Sequence, residues 1–438
     1  MTYLRHLLLI PMLAVLFTSC LEEVCEENRI VRGFEPVVVN AEEWRSSTFP
    51  ITAPQPVCEA SGFYVYDQYL LMVEETKGLH IYDNSDPANP RAITFMEAPG
   101  VQGMAVRNGI LYLNQFTDLV AFDLTDPAQP EAVGRTPDAF EPHTVFARQL
   151  DNGEFVVEWV ETAEQRVVNC NDPQFSSRFW SENGVFFADD RGSLDFNAFS
   201  QSTAGNPETV SGGENVGQGG SLARFTIANG TLYVVDESRL KTFDLTDPEQ
   251  PVFVGNAELG RGIETLFPYG NQLYVGSRTG MHIYDVSEPL APQHLSTFEH
   301  VLSCDPVVVA NDLAYVTLWG GRDCGATDDQ LEIIDVSDPR NPVSLQITPM
   351  SSSHGLGVAE GKLFLCAQWE GLRVFDLDDN GLLGQPLDHV EGIIARDVIV
   401  QPQTNHLIVL GYYEDGVSQY EYADDGRLSA VSRLNLCQ

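Results

Sequence analysis

Lysine is nearly absent from this 438-residue chain: it occurs only as Lys77, Lys241 and Lys362, and all bases together number 24 against 63 acids. The formal charge of −39 repels phosphate backbones and anionic lipid heads, which argues against nucleic acid as a partner. The acid excess fits a solubility coat on an exported protein, in a salty habitat or otherwise, with a supply of cation-binding oxygens as the alternative. No apolar run reaches the roughly 20 residues that a membrane-spanning helix needs. CxxC is missing, so no zinc or redox motif is suggested. Walker, HExxH, GxSxG and dinucleotide signatures are missing too, which weighs against the common enzyme classes.

What is present is enough for a large core. Hydrophobic residues make up 43% and aromatics 10%, with Gly 36 and Pro 25 to supply turns. A chain of this length is either several domains or one architecture that grows by adding units.

Residues 1 to 19 read as a secretory signal: a positive tip (Arg5, His6), an apolar run from Leu7 to Phe17, then the small Thr18 and Ser19. Phe17-Thr18-Ser19-Cys20 resembles the lipobox of bacterial lipoproteins, with Phe17 where an aliphatic residue is usual. The resemblance implies that Cys20 becomes the lipid-modified N-terminus and holds the protein at the cell envelope, in the outer membrane or on the cell surface. The alternative is an ordinary signal cut near Ser19, with Cys20 a plain thiol. Residues 20 to 32 form an acidic tether similar to the surface-export signals of Bacteroidetes-type lipoproteins, and residues 33 to 59 a leader that packs on the domain beyond it.

Seven further cysteines stand at positions 25, 58, 170, 304, 324, 366 and 437, and an exported setting permits disulfides. Cys304 and Cys324 flank one expected hairpin and form the best candidate pair. Cys366 sits inside the strand Leu363-Phe-Leu-Cys, which suits a buried, inert thiol. The pairing of Cys25, Cys58, Cys170, Cys366 and Cys437 stays open.

One phrase recurs along the chain. It reads His80-Ile-Tyr-Asp83-Asn-Ser-Asp-Pro-Ala-Asn-Pro90, and returns around Asp123, Asp244, Asp285 and Asp335, with weaker copies around Asn169, Asp376 and Glu421. These eight anchors step by about 40 to 50 residues, except for one interval of about 75 that holds an insertion, and such a period means a propeller or solenoid. Each unit reads as four short strands, as in residues 103 to 134, which points to propeller blades. In the phrase the first Asp ends the third strand, Ser or Thr and the next Asp bond their own backbone, and Pro fixes φ. The second Pro opens an outer strand, where a missing N–H is tolerated. The expected fold is all-β: a single β-propeller over residues 60 to 438 with eight four-stranded blades, or seven if the unit around Asn169 is degenerate. Gly-His and Trp-Asp pairs are missing from every unit, which disfavours WD40 repeats.

The phrase closely resembles the LVIVD family of β-propeller proteins, from about Gly62 to Tyr422. The leader segment, Gly219-Gly-Ser-Leu-Ala-Arg-Phe225, Gly262-Ile-Glu-Thr-Leu-Phe-Pro268 and Ser303-Cys-Asp-Pro-Val307 also resemble bacterial LVIVD lipoproteins. The resemblance implies fold and export and leaves the biochemical role open.

Aligning the units on their second strand places Gln102, Glu264, Asp305 and His354 at the opening of the first strand, with His143 and Asp397 joining at slightly longer gaps. The innermost strand of a blade lines the central channel. His143, Glu264, Asp305, His354 and Asp397 are therefore a candidate ligand-binding ring at one channel mouth. The loop 319 to 329 returns to the same face, so Trp319, Arg322, Asp323, Asp328 and Asp329, with Trp369 of the next unit, are candidates for a mouth loop. Such oxygen ligands suit Ca²⁺, and the two histidines a transition metal; a polar, water-filled channel is the plainer reading. The insertion from 174 to 220 either covers a face and docks a partner or packs its aromatics on the blade, and its tail from Ser200 to Gly220 has the composition of a flexible linker. Together these features suggest a monomeric, lipid-tethered binding or scaffold module for a protein or glycan. The rival is a metal-assisted hydrolase or lyase at the channel mouth.

Overall fold

The computed structural model describes residues 28–46, 48–58, 60–74, 77–141, 149–150, 152–169, 179–182, 185–189, 215–236, 238–260, 262–300, 306–319, 329–412 and 415–434. The signal, Cys20, His143, Asp305, Arg322, Asp323, Asp328, Cys304 and Cys324 lie outside them.

The chain divides into two compact units. One joins residues 1–35 to 160–194 and carries most of a four-stranded sheet built from Asn28–Val39, Phe155–Asn169, Phe179–Glu182 and Val185–Asp189. Its small core holds Val31, Val168, Val185 and Phe187. The copy of the phrase around Asn169 falls here, where the strands are not in the consecutive order of a blade.

Among the described residues the other unit holds seven antiparallel sheets whose blade strands are in chain order, and it is a β-propeller. The innermost strands of blades 1 to 7 are Gly62–Tyr66, Met104–Arg107, Phe225–Ala228, Ile263–Tyr269, Val307–Ala310, Leu356–Ala359 and Ala395–Gln401. Innermost and middle strands are buried on both faces, so they read as near-continuous apolar runs such as Tyr69-Leu-Leu-Met-Val73. The outer strands, for example Val343–Pro349, face solvent along much of their length.

Cores form between neighbouring sheets, not within them. Apolar clusters link blades 1, 2 and 3, then 3 and 4, then 4, 5 and 6, then 6 and 7. The last cluster joins Phe63, Val65, Leu70 and Met72 of blade 1 to Ile399, Ile408, Leu410 and Val417 of blade 7, and so closes the circle. Asn84 and Gln419 complete that seam with reciprocal amide hydrogen bonds of 3.0 and 2.7 Å.

Every blade carries the same defect between its third and fourth strands. The register slips, leaving an extra residue on the outer strand: Ile93, Val133, Val254, Leu295, Leu345, Leu387 and Val431 in turn, with a second irregularity in blade 6 between Phe375 and Leu377. A bulge of this kind adds right-handed twist.

The recurrent phrase acts as the sequence suggests. Asp83, Asp123, Asp244, Asp285 and Asp335 each accept the N–H two residues on, at 2.7 to 3.0 Å. The turn also serves the preceding blade: Tyr112, Tyr233 and Tyr315 donate their hydroxyls to the carbonyls of Pro248, Pro289 and Gly381 in the next turn along. A single motif thus ends a strand and receives the neighbouring sheet.

Candidate functional site

Strand direction separates two faces in the propeller unit. The Asp-Pro turns lie on one; the starts of the innermost strands and the loops between second and third strands lie on the other, the mouth face.

The first finding at the mouth is that the chain itself runs along the inner strands. Residues 215 to 224, Asn-Val-Gly-Gln-Gly-Gly-Ser-Leu-Ala-Arg, meet blade after blade before becoming the inner strand of blade 3. Asn108 and Asn215 exchange hydrogen bonds, and the Gly217 N–H donates to the Val106 carbonyl of blade 2. Gln218–Gly219 pairs as a short strand on Gly62–Tyr66 of blade 1. The Gln218 side-chain amide donates to the Val400 carbonyl of blade 7 at 2.8 Å. The Ser221 hydroxyl accepts from the Leu356 N–H of blade 6, and Ala223 and Arg224 bond blade 4 at Leu266 and Ile263. The expectation of a flexible linker therefore ends at residue 214, and residues 215 to 224 form an ordered axial segment. Glycine composition misled because it reports close approach here. A Cβ at Gly220 would overlap the Asp397 carboxylate, and one at Gly217 would overlap the Tyr64 ring and the Val65 carbonyl.

Asp397 is the partner of that segment. It is fully buried and accepts the Ser221 N–H and hydroxyl at 3.0 and 2.8 Å, the Leu222 N–H at 3.3 Å and its neighbour's Val398 N–H at 2.9 Å. Burial raises its pKa, and the donated hydrogen bonds pull against that rise. Such a carboxylate is a structural acceptor whose lone pairs are engaged.

Glu264 is buried in blade 4 and pairs with Arg278 at 3.2 Å. Asp329 accepts the Ser352 N–H at 2.6 Å and ties the loop of blade 5 to the start of blade 6. Among the described residues no three His, Cys, Asp or Glu side chains are arranged to hold one metal ion.

His354 differs from these carboxylates. It is 3% exposed, and neither ring nitrogen has a hydrogen-bond partner. Trp319 of blade 5 stacks on it with ring centroids 4.2 Å apart, and Tyr412 of blade 7 meets it edge-on at 5.8 Å. Arg396 lies over Tyr412, its guanidinium carbon 5.3 Å from the ring centroid. Burial first, and the Arg396 charge second, push the His354 pKa down to about 3, so the imidazole is neutral. Three consecutive blades thus contribute Trp319, His354, Tyr412 and Arg396 to one row, and Trp369, 67% exposed, sits on the blade 6 loop of the same face. Sequence reading placed His354 and the two tryptophans on this face. It missed Tyr412 and Arg396, because nothing in their spacing signals the stack.

Two cysteines are placed: Cys58 is disulfide-bonded, and Cys366 is a buried free thiol whose pKa burial raises. The short helix Ala41–Ser46 anchors the leader, with Trp44 against Phe116 and Phe155 and Arg45 bidentate on the buried Asp118.

Seven sheets, an axial segment and one Asp-Pro turn per recurrent phrase define a repeat β-propeller. Residues 305–347, which carry the Asp335 phrase of blade 5, match the LVIVD repeat. No curated protein matches the sequence. Among solved structures it is similar to a Bacteroides fragilis protein proposed to be a 6-phosphogluconolactonase, at 10% identity over 86% of this chain and 96% of that one, TM-score 0.50. It is also similar to the periplasmic gluconolactonase PpgL of Pseudomonas aeruginosa (8% identity, 93% and 96% covered, TM-score 0.48) and to BamB from Moraxella catarrhalis (10%, 84% and 99%, TM-score 0.44). At 10% identity the likeness to the Bacteroides fragilis structure is one of fold alone.

Proposed function

We propose that this protein is an envelope-tethered binding module that presents the mouth face of its propeller to a protein or glycan. The observation that carries the reading is the row of Trp319, His354, Tyr412 and Arg396 across three blades beside the exposed Trp369. The exposed Trp369 ring offers a flat surface on which a ligand can stack, while His354 and Arg396, both buried, support the rings of Trp319 and Tyr412. The axial segment supports the same reading, since it engages Asp397 in a structural role and leaves the face, not the channel, for recognition. Tethering rests on residues 1 to 20: the signal-like start and Cys20 in a lipobox-like setting, with the protein held at the outer membrane or cell surface as a monomer.

Oligosaccharides from the cell envelope, titrated against tryptophan fluorescence, test the recognition surface. A saturable change that Trp369→Ala and His354→Ala both weaken supports a glycan. Crosslinking from position 369 to one envelope protein, with a flat sugar titration, supports a protein. If neither occurs, the reading fails. Tethering is checked separately by incorporation of labelled palmitate, which Cys20→Ala should abolish.

A further inference from the structure

Blade 4 carries a second cluster, made of other residues than the row of Trp319 and His354. His282 lies on its third strand, Gly280–Asp285, and His294 and Thr297 on its outer strand, Gln293–Glu299. Residues three apart on a regular strand point to opposite faces. Here the register pairs His282 with Thr297 and Tyr284 with His294, and the extra Leu295 between them returns both to one face. The bulge shared by all seven blades therefore does something particular in this one.

Both imidazoles aim at one point. His282 Nδ1 and His294 Nε2 each lie 2.9 Å from the same atom, Thr297 Oγ1. The rings are 6.2 Å apart between centroids, and Tyr284 flanks His294 at 5.2 Å. A hydroxyl has one proton to donate, so at least one of the two nitrogens meets it as a donor. His282 is half-buried and His294 exposed.

We propose that His282 and His294 form a site for a borderline divalent transition cation such as Cu²⁺, with the Thr297 hydroxyl as an oxygen ligand. Imidazole nitrogen favours such ions over Ca²⁺ or Mg²⁺. Ligand atoms about 2.0 to 2.1 Å from one ion stand roughly 3 Å apart when they are neighbours around it, close to the 2.9 Å between each ring nitrogen and Thr297 Oγ1. The surrounding excess of acids raises the local cation concentration.

The test titrates Cu²⁺ into the purified chain at neutral pH and records electron paramagnetic resonance spectra. The expected result is one strong site whose hyperfine pattern shows two imidazole nitrogens. His294→Ala should remove one nitrogen and weaken binding by at least about tenfold, a loss no smaller than that of an outer-shell partner. His389→Ala, which removes an exposed histidine on blade 6, should change nothing. Copper bound without nitrogen, or a spectrum that His294→Ala leaves intact, overturns the proposal. Because His294 is exposed, an unchanged melting curve for that variant separates loss of a ligand from loss of the fold.

Discussion

The Asp397 carboxylate of blade 7 accepts both the N–H and the hydroxyl of Ser221, 176 residues away in the chain. That pairing holds the axial segment to the ring, and Ser221 passes the connection to Leu356 of blade 6. Removing the acceptor strands buried donors, at a cost of about 1 to 3 kcal/mol for each neutral group left unpaired. Asp397→Ala should therefore lower stability by several kcal/mol and Ser221→Ala by about 1 to 2 kcal/mol. The double variant should cost less than the sum of the two, a coupling readable from urea melts of the four proteins.

Close approach at the same place makes a steric prediction. A Cβ at Gly220 or Gly355 would fall on the Asp397 carboxylate, whereas one at Gly255 meets nothing within 4 Å. Gly220→Ala and Gly355→Ala should each lower the melting temperature by many degrees, at about 2 kcal/mol or more of overpacking strain. Gly255→Ala should leave it nearly unchanged.

Acid should open the turns. The pKa values of Asp83, Asp123, Asp244, Asp285 and Asp335 are lowered first by the adjoining Ser or Thr side chain and then by its N–H, that of Asp83 to about 2. A carboxyl whose folded pKa is depressed stabilises the fold above its unfolded value near 3.9 and loses that contribution as pH falls toward the folded value. Asp397 has the opposite sign: its raised pKa gives stability present at low pH and lost as pH climbs through the folded value. Five turns of one sign outweigh one group of the other, so melting temperature should drop between about pH 4 and pH 2. Asp285→Asn with Asp335→Asn should flatten that slope in melts recorded across the window.

The tyrosine staples should behave as independent units. Tyr112→Phe, Tyr233→Phe and Tyr315→Phe each delete one hydroxyl-to-carbonyl bond between adjacent blades, worth about 1 kcal/mol apiece. Because the sites lie in different blade seams, the triple variant should lose close to the sum of the three single losses, as calorimetry would show.

The blades were legible in the sequence because a blade is local: its strands are consecutive, and the Asp-x-Ser/Thr-x-Pro turn bonds within a few residues. The Asn169 unit shows the limit of that signal. Arg166-Val-Val-Asn169 imitates the phrase, yet it ends the long strand Phe155–Asn169 of a sheet with a different strand order, so the ring has seven blades, the smaller count the sequence allowed. The axial segment was illegible for a related reason, since its partners are Val106, Val400 and Asp397, all far away in the chain. Asp397 was counted into a ligand-binding ring, whereas its carboxylate holds Ser221, a residue that carries no motif. The Trp319 and His354 stack was half visible, its members placed on one face by counting while their contact depends on how blades 5 and 6 pack.

Hydrogen exchange read by mass spectrometry over residues 217 to 224 tests the central claim most directly, that seven blades close around a segment of their own chain. Hydrogen bonds to Val106 and Asp397 should slow the amides of Gly217, Ser221 and Leu222 to rates like those of the inner strand Ala395–Gln401. Exchange at the speed of an exposed loop, while that inner strand stays protected, would contradict the account.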